Sequence, residues 1–405
     1  MSRRSAPAPV RHVDDDERRA RLGRRHGLAP GHRFGDVVTA AASMVGLHAT
    51  EPATVHLSLW ARSAGLALED VERALYDDRV LVKQTAMRGT LFAVDRGTLP
   101  AVWGSVAARQ ARALHARLVK DLLASGVTDD GEAWLAEMGD AVVALLREQE
   151  AGSTEVRRLL PAVDVSVTRG TGAWSAATPV APQLLWLLNE RGRVLRSRNA
   201  GDWVQSRPRW RETVAWLGEP AVPAPAREAY ARLVRGWLRT YGPGTEADLR
   251  WWLGDTLGAV RTALADLDAV PVTVSGPDGG PEPAWLLPDD LDTVEPPDGW
   301  VALLPTLDPT VMGWRGRGFY VGPHRDALFD SVGNAGTTAW WDGRVVGSWM
   351  QDPQGRVHLH LLEDLPAAVR RALEEEAARL TAWLDGAVVT RLYVSGSMRL
   401  ALPGR

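Results

Sequence analysis

The stretch between residues 37 and 94 limits the possible folds more than any other part of the chain. Three segments in a row carry apolar residues at helical spacing. Two strand-like runs follow, with Met87-Arg88-Gly89 as the turn between them. Three helices closed by a β-hairpin form a winged helix, so the sequence predicts one here. The helices are expected over 37–47, 54–64 and 68–76, and the strands over 80–85 and 90–94.

Similar orders of helices and strands recur twice farther along the chain, although the copies share little sequence. In the third copy Thr245 begins a Thr-x-x-Asp pattern, which predicts a capped helix start. Beyond about residue 296 strand patterns dominate. The second and third copies are expected to hold helices over 154–160, 182–191, 226–241, 244–253 and 257–267, a strand over 193–198, and a hairpin formed by 270–274 and 284–287. The last region is expected to hold strands over 301–304, 339–341, 344–350, 356–362 and 390–400, and one helix over 365–384.

These patterns predict an α+β fold with three tandem winged-helix (helix-turn-helix) domains and a C-terminal β-rich subdomain. A chain of 405 residues is long enough for several such units. The basic N-terminus is expected to be a partly disordered arm that contains a short helix over 14–25. The expected units are the arm at 1–35, the winged helices at 36–120, 121–218 and 225–295, and the subdomain at 296–405.

Composition excludes several classes of protein. The chain contains no cysteine, so it has no disulfide, no thiolate-bound metal and no catalytic thiol. No apolar run is long enough for a membrane-spanning helix, and the polar N-terminus does not read as a secretion signal. A cytoplasmic protein is therefore expected. No feature indicates an obligate protein partner, so we expect a monomer.

The basic residues are almost all arginine and are unevenly distributed. The net charge of −3 does not itself indicate a nucleic-acid-binding protein. However, residues 190–212 hold seven arginines against three acidic residues. Arginines interleaved with Trp203 and Trp210 suit a groove that follows DNA phosphates, but a solvated loop would show the same composition. The arginines of this cluster are Arg196, Arg198, Arg207, Arg209 and Arg211.

A short segment ahead of the second predicted helix carries the most specific residues, Gly46-Leu47-His48-Ala49-Thr50-Glu51-Pro52. Other stretches accompany it in a fixed order. Together they resemble the AlkZ-type DNA glycosylases over roughly residues 37–400. The accompanying stretches are Met87-Arg88-Gly89-Thr90-Leu91, Tyr241-Gly242-Pro243, Asp248-Leu249-Arg250-Trp251-Trp252, Leu303-Leu304-Pro305, Asp308-Pro309 and Asp342-Gly343-Arg344-Val345-Val346-Gly347-Ser348-Trp349.

The resemblance implies a monofunctional glycosylase that acts on duplex DNA and removes bulky N-alkylated purines. An N7-alkylguanine is already cationic and leaves readily, so the enzyme mainly has to place a water beneath C1′. In this family two polar residues, usually Gln and Gln or Gln and Asp, flank one apolar residue. His48 and Thr50 occupy those positions here.

The chemistry of these side chains is compatible with that role. A neutral imidazole at His48 can orient a water and accept its proton, and the Thr50 hydroxyl can bind the same water. Glu51 adds a carboxylate that could raise the basicity of His48 or stabilise positive charge on the sugar. Each residue also has a structural interpretation. His48 could pack at a helix junction, Thr50 could cap the helix that begins near Pro52, and Glu51 could be a solvated first-turn acid.

The predicted hairpin is the expected wing of the first domain. Wings of winged helices commonly contact phosphates or the minor groove, although an ordinary surface hairpin would look the same. A second basic motif, Trp314-Arg315-Gly316-Arg317-Gly318-Phe319-Tyr320 with His324 and Arg325, suits either a groove or a structural β-turn. The wing residues expected to contact DNA are Lys83, Gln84, Arg88, Gly89 and Thr90.

Other chemistries find little support. The sequence has no P-loop, no dinucleotide-binding fingerprint and no serine nucleophile elbow. His358 and His360 would share one face of a strand but have no third ligand, so we expect no metal and no cofactor. Two alternatives to a glycosylase remain open. One is a non-catalytic winged-helix DNA-binding or regulatory protein that has lost the catalytic pair, and the other is a protein that binds a small genotoxic ligand.

Overall fold

The computed structural model, which describes residues 8–169, 176–389 and 393–402, contains runs of helices and runs of mostly antiparallel strands. The expectation of an α+β fold is confirmed. The first predicted winged helix contains the expected three helices and hairpin, and its third helix continues as a π-helical turn over Arg73–Asp77. The elements up to this hairpin are β1 (His12–Val13), α1 (Asp15–Arg25), α2 (Val37–Ser43), β2 (Leu47–His48), α3 (Pro52–Arg62), α4 (Leu68–Glu72), β3 (Leu81–Thr85) and β4 (Leu91–Asp95).

The middle region contains two long helices, α6 and α7, that the sequence patterns did not assign. They pack with α8 and α9 around a second hydrophobic core, in which Leu118, Leu122 and Val142 are fully buried. The elements of this region are α5 (Leu99–Val102), α6 (Ala108–Ala124), α7 (Gly131–Glu148), α8 (Ser153–Leu159), β5 (Ser166–Arg169), β6 (Ala176–Pro179), α9 (Ala181–Glu190), β7 (Val194–Arg196), β8 (Trp210–Glu212) and α10 (Thr213–Leu217).

The last half of the chain carries the third helical group and the β-rich region. The Thr245 cap is present, because its hydroxyl accepts the Asp248 N–H and Asp248 accepts the Thr245 N–H in return. The elements here are α11 (Ala226–Tyr241), α12 (Glu246–Leu253), α13 (Leu257–Asp266), β9 (Val270–Ser275), β10 (Pro281–Leu286), β11 (Val301–Leu304), α14 (Gly318–Val321), α15 (Arg325–Leu328), β12 (Thr338–Trp341), β13 (Arg344–Gln351), β14 (Val357–Leu361), α16 (Ala367–Leu384) and α17 (Gly396–Leu400).

The prediction of a strand over 390–400 was wrong for the residues that the structure describes. Residues 396–400 form α17, whose first turn is capped by Ser395. Residues 390–392 lie outside the described ranges. None of the helices within the described ranges has both the length and the apolar character needed to span a bilayer.

The first two predicted winged helices share one sheet. Its strand order is β2-β4-β3-β7-β8, and Lys83 on β3 lies opposite Arg196 on β7. The boundary expected near residue 120 therefore does not separate two independent sheets. The C-terminal region forms a four-stranded antiparallel sheet in the order β11-β12-β13-β14.

The N-terminal segment is part of the folded body from residue 12 onward, and the short helix expected over 14–25 is present as α1. Strand β1 pairs in parallel with β9, and α1 begins at an Asp14 cap. Arg21 on α1 is 1% exposed and bonds the carboxylate of Asp290 at 2.9 Å. Several arginines of this basic segment are therefore paired inside the fold.

One large core joins the first helical group, the third helical group and the C-terminal sheet. A buried ion pair ties two of these parts together. Arg62, at the end of α3, makes two hydrogen bonds to the carboxylate of Asp308, in the loop after β11, at 2.6 and 2.9 Å. Both side chains are fully buried. This arrangement holds α3, and the segment that precedes it, against the C-terminal region.

Candidate active site

The segment that carries His48 is held as an edge strand of the five-stranded sheet. Strand β2 pairs with β4, placing His48 opposite Phe92, and the Ala49 N–H bonds the Leu91 carbonyl at 2.9 Å. Gly46 makes this close approach possible, because a Cβ at that position would lie 2.9 Å from Val94. The segment therefore runs extended from Leu47 to Ala49.

His48 is buried against the hairpin turn. Its ring lies 4.2 Å from the Phe92 ring, and Nη2 of Arg88 donates to its Nε2 at 2.8 Å. A guanidinium can only donate, so Nε2 must accept, and the proton of the neutral ring lies on Nδ1. That Nδ1 atom is buried and has no hydrogen-bond partner among the described residues. Burial, reinforced by the positive charges of Arg88 and Arg317, holds the pKa of His48 well below its usual range.

Arg88 reaches His48 from a constrained turn. Its backbone φ is 56°, in the left-handed region, and the Arg88 side chain is half-buried. Its guanidinium lies 4.4 Å from the centre of the Trp251 ring, and that of Arg317 lies 4.8 Å from the same ring. Burial and then Arg317 lower the pKa of Arg88 to about 10.

The two arginines therefore form a cationic cluster around one aromatic ring. Neither Arg88 nor Arg317 has a carboxylate within ion-pair distance in the part of the chain that the structure describes. Nη1 of Arg88 is buried and lacks a hydrogen-bond partner there. We call Arg88, Trp251 and Arg317 the arginine–tryptophan cluster. It joins the turn between β3 and β4 to α12 and to the loop before α14.

Thr50 and Glu51 differ in their surroundings. Thr50 is half-buried, and its hydroxyl makes no hydrogen bond within the described residues. Helix α3 begins after Glu51 without a side-chain cap, so Thr50 is not its capping residue. Glu51 is 3% exposed and accepts the Tyr393 N–H at 3.2 Å. The interpretation of Glu51 as a solvated first-turn acid is therefore wrong.

Comparison with known proteins identifies the family of this chain. The family model for AlkZ-like DNA glycosylases matches residues 41–383. This chain belongs to the AlkZ-like DNA glycosylase family. The resemblance seen in the sequence is thus confirmed, and the family makes DNA glycosylase the function class and DNA the partner.

A solved structure of the Streptomyces sahachiroi DNA glycosylase AlkZ shares the fold. It superimposes with a TM-score of 0.68 and is 21% identical, over 93% of this chain and 98% of that one. The search of curated proteins found no match. The assignment of His48 and Thr50 to the two polar positions of the family stays a prediction from the sequence.

Two of the expected wing contacts are buried in this AlkZ-like protein. Gln84 is completely buried, donates to the Asn189 carbonyl at 2.9 Å and accepts from the Trp103 indole at 3.0 Å. Lys83 is 5% exposed and donates to the Tyr76 hydroxyl at 2.5 Å. Both side chains project from the centre of the shared sheet and not from a free wing. Their placement contradicts the expectation that they contact DNA.

The tip of the hairpin is also packed, although less completely. A Cβ at Gly254, just after α12, would lie 2.8 Å from the Arg88 Cα, so α12 abuts the turn. Gly89 and Thr90 are half-buried, and the Thr90 hydroxyl donates to the Met87 carbonyl at 3.1 Å. The turn therefore supports His48.

Most of the predicted arginine cluster is engaged within the protein. Arg198 pairs with Glu72 and Asp77 at 3.2 and 2.7 Å, and Arg209 bonds the Glu150 carbonyl. Arg196 stacks on Trp210 at 3.9 Å, and burial lowers its pKa to about 9. The Arg207 and Arg211 side chains have no ion pair or hydrogen bond among the described residues.

The sequence does not predict that Trp251 and Arg317 lie beside Arg88. Both belong to motifs named in the sequence analysis, but no sequence pattern encodes the long-range packing that places Arg88 and Arg317 over the Trp251 ring. His358, the other histidine of interest, bonds Asp352 at 2.9 Å. Across the described ranges, no group of three or more potential ligand side chains is arranged to hold a metal ion.

Proposed function

We propose that this protein is a monofunctional glycosylase that hydrolyses the N-glycosidic bond of bulky N-alkylated purines in duplex DNA. The observation that carries the proposal is the pair of unpartnered polar atoms on the His48–Thr50 segment. Residues two apart in extended chain share a face. The Nδ1–H of His48 and the Thr50 hydroxyl are therefore suited to hold one water between them.

The roles of the two side chains follow from their protonation. A neutral His48 with its proton on Nδ1 donates a hydrogen bond to the water oxygen, while the Thr50 hydroxyl accepts a hydrogen bond from that water. The cationic purine leaves as a neutral base, and the proton that the water loses on attack passes to solvent. A cationic alkylpurine needs little acid assistance, so the placement of the water supplies most of the catalysis. Glu51, whose carboxylate accepts the Tyr393 N–H, keeps in this proposal the role of a negative charge that stabilises the oxocarbenium-like sugar.

The set of residues proposed to contact DNA is smaller than the set predicted from the sequence. At the hairpin we retain Arg88, Gly89 and Thr90, because Arg88 has a buried donor without a partner. In the distal arginine cluster we retain Arg207 and Arg211, whose guanidinium groups are not engaged by other described residues.

A second candidate function is a DNA-binding protein without catalysis. The observation that favours it is the hydrogen bond from Arg88 to His48, which occupies the one acceptor nitrogen of the imidazole. A histidine bound in this way cannot take a proton from water. The family's amide pair would then have been replaced by residues that only stabilise the hairpin.

An excision assay separates the two candidates. A labelled duplex with a single N7-alkylguanine, either methyl or bulky, is incubated with the protein and then treated with mild alkali to cleave at abasic sites. The proposal predicts strand scission above a no-enzyme control and above a doubly substituted His48→Ala/Thr50→Val protein prepared in the same way. DNA binding without scission for every adduct would support the non-catalytic candidate.

A further inference from the structure

A cleft that includes Arg317 of the arginine–tryptophan cluster is lined by elements distant in sequence. Helix α1, the turn between β9 and β10, the loop before α14 and the start of α15 enclose about 870 Å³. Arginines from α1, from the loop before α14 and from α15 line it. They are Arg18, Arg315, Arg317 and Arg325.

Two of these arginines are available to an external anion. Arg315 and Arg325 are exposed, and neither side chain has a carboxylate partner in the described ranges. Arg18, by contrast, pairs with Asp15 at 3.3 Å and lies 3.6 Å above the Phe319 ring. Arg18 therefore shapes the wall of the cleft, while Arg315 and Arg325 carry its uncompensated charge.

The acidic residues of the cleft are partly used by the backbone. Asp248 accepts the N–H groups of Arg315 and Gly316 at 2.9 and 2.8 Å, so its carboxylate fixes the loop that presents Arg315. Asp15 is paired with Arg18, and Glu282 is the remaining acid on the lining. The four arginines thus exceed the three acids.

Arg317 connects this cleft to His48. It lines the cleft and also lies over the Trp251 ring, against which the Arg88 guanidinium packs as well. Arg88 in turn bonds His48. The buried Nη1 of Arg88 has no partner in the described structure, and a buried unpaired guanidinium N–H is costly unless an anion occupies it.

Arg317 itself is 6% exposed, and its guanidinium donates to the Trp314 and Gly333 carbonyls, so it shapes the wall of the cleft. We propose that this cleft binds the phosphate backbone of the DNA strand that carries the target base, and that Nη1 of Arg88 donates to the phosphate nearest His48. The inference rests on the proposed function only in taking DNA as the ligand. Arg315 and Arg325 hold the neighbouring phosphates, so the strand enters the site from the C-terminal region.

The test compares two double variants with the same loss of charge. Arg315→Gln/Arg325→Gln removes the two exposed cleft arginines. Arg158→Gln/Arg371→Gln removes two exposed arginines on α8 and α16 that also lack partners among the described residues. Binding of a short undamaged fluorescent duplex is followed by anisotropy over a series of salt concentrations.

The cleft variant should bind roughly 10- to 100-fold more weakly at moderate salt, and its log–log salt slope should be shallower by about 1.8, or 0.9 for each lost phosphate contact. The control variant should keep the wild-type slope. Equal effects of the two variants, a wild-type slope in the cleft variant, or no duplex binding by the wild-type protein would overturn the proposal.

Excision measured in parallel distinguishes this inference from the proposed function. If the wild-type protein binds duplex through the cleft but releases no alkylpurine, the cleft stands and the glycosylase proposal falls. If the wild-type protein excises the lesion and the cleft variant binds and excises equally well, the cleft proposal falls and the glycosylase proposal stands.

Discussion

Arg88 donates one hydrogen bond to His48, from Nη2 to Nε2 over 2.8 Å, and this contact decides what His48 can do. It fixes the proton of the neutral ring on Nδ1. Burial and the charges of Arg88 and Arg317 keep the pKa of His48 well below its usual range. His48 is therefore a neutral donor throughout the neutral pH range, where the sequence alone left open a role as proton acceptor.

Substitution of His48 should show whether this residue positions the water or accepts a proton from it. We expect His48→Ala to reduce the single-turnover excision rate by about 100-fold, because the water loses one of its two partners. His48→Gln restores an amide donor of the kind usual in the family and should stay within about tenfold of wild type. The measurement is excision of an N7-alkylguanine from duplex at saturating protein.

The pH profile of the same reaction provides the control. Because His48 stays neutral, wild type and His48→Gln should show the same profile between about pH 6 and 8. An acidic limb near the ordinary histidine pKa that is present in wild type and absent in His48→Gln would contradict this assignment. It would instead make His48 the base that accepts the proton of water.

Removal of the Arg88 charge should raise the pKa of His48. In Arg88→Met the pKa of His48 should rise, because one of the nearby positive charges that disfavour the imidazolium is gone. It should remain below the ordinary value, since burial is the larger cause. Histidine-selective NMR titration reports this value, and Arg158→Met serves as the distant control. An unchanged His48 resonance and pKa would show that the two side chains are not in contact in solution.

Local elements could be predicted from the sequence because they depend on local periodicity. Helix α11 was expected over the residues that it occupies, and the cap at Thr245 follows from residues three apart. The partners of charged residues could not be predicted in this way. Arg198 looked like a phosphate ligand, but its partners Glu72 and Asp77 reach it only because β7 joins the sheet of the first domain.

The candidate site shows the same division. His48 and Thr50 were identified from their spacing and the family pattern, and Arg88 from the hairpin turn. Trp251 and Arg317 come from elements far along the chain, and only tertiary packing brings them to Arg88. Gln84 failed as a DNA contact because alternation along a strand does not say which neighbouring strand or helix will cover each face.

The Arg62–Asp308 pair should be a major source of stability for the arrangement around α3. Both groups are fully buried, so Asp308→Ala leaves an unpaired buried guanidinium and should lower the free energy of unfolding by about 3–5 kcal/mol. Asp289→Ala breaks the exposed pair with Arg239 and should leave the free energy of unfolding close to that of wild type. Urea denaturation followed by tryptophan fluorescence measures both. Equal losses in the two variants would show that the buried pair is not the stabilising contact we infer.

Lys83 should make stability depend on pH in the alkaline range. Burial lowers its pKa from 10.5 to about 8, so the folded protein releases this proton at a lower pH than the unfolded chain. Below about pH 8 the folded state bears the full cost of a buried ammonium. Between about pH 8 and 10.5 the unfolded state binds more protons, so stability contributed by this site rises with pH, by up to about 3 kcal/mol. Lys83→Met should remove that rise.

The chain offers a matched control for this prediction, because its other lysine, Lys120, is exposed. The quantity to compare is the free energy of unfolding of wild type minus that of Lys83→Met. Taking this difference cancels the titration of all other groups to first order. The difference should become more favourable to wild type as pH increases from 8 to 10. Wild type minus Lys120→Met should stay flat over the same range. A flat difference for Lys83 as well would mean that its ammonium is solvated in solution, and the hairpin that carries Arg88 would then be less tightly closed over Tyr76 than the 2.5 Å contact indicates.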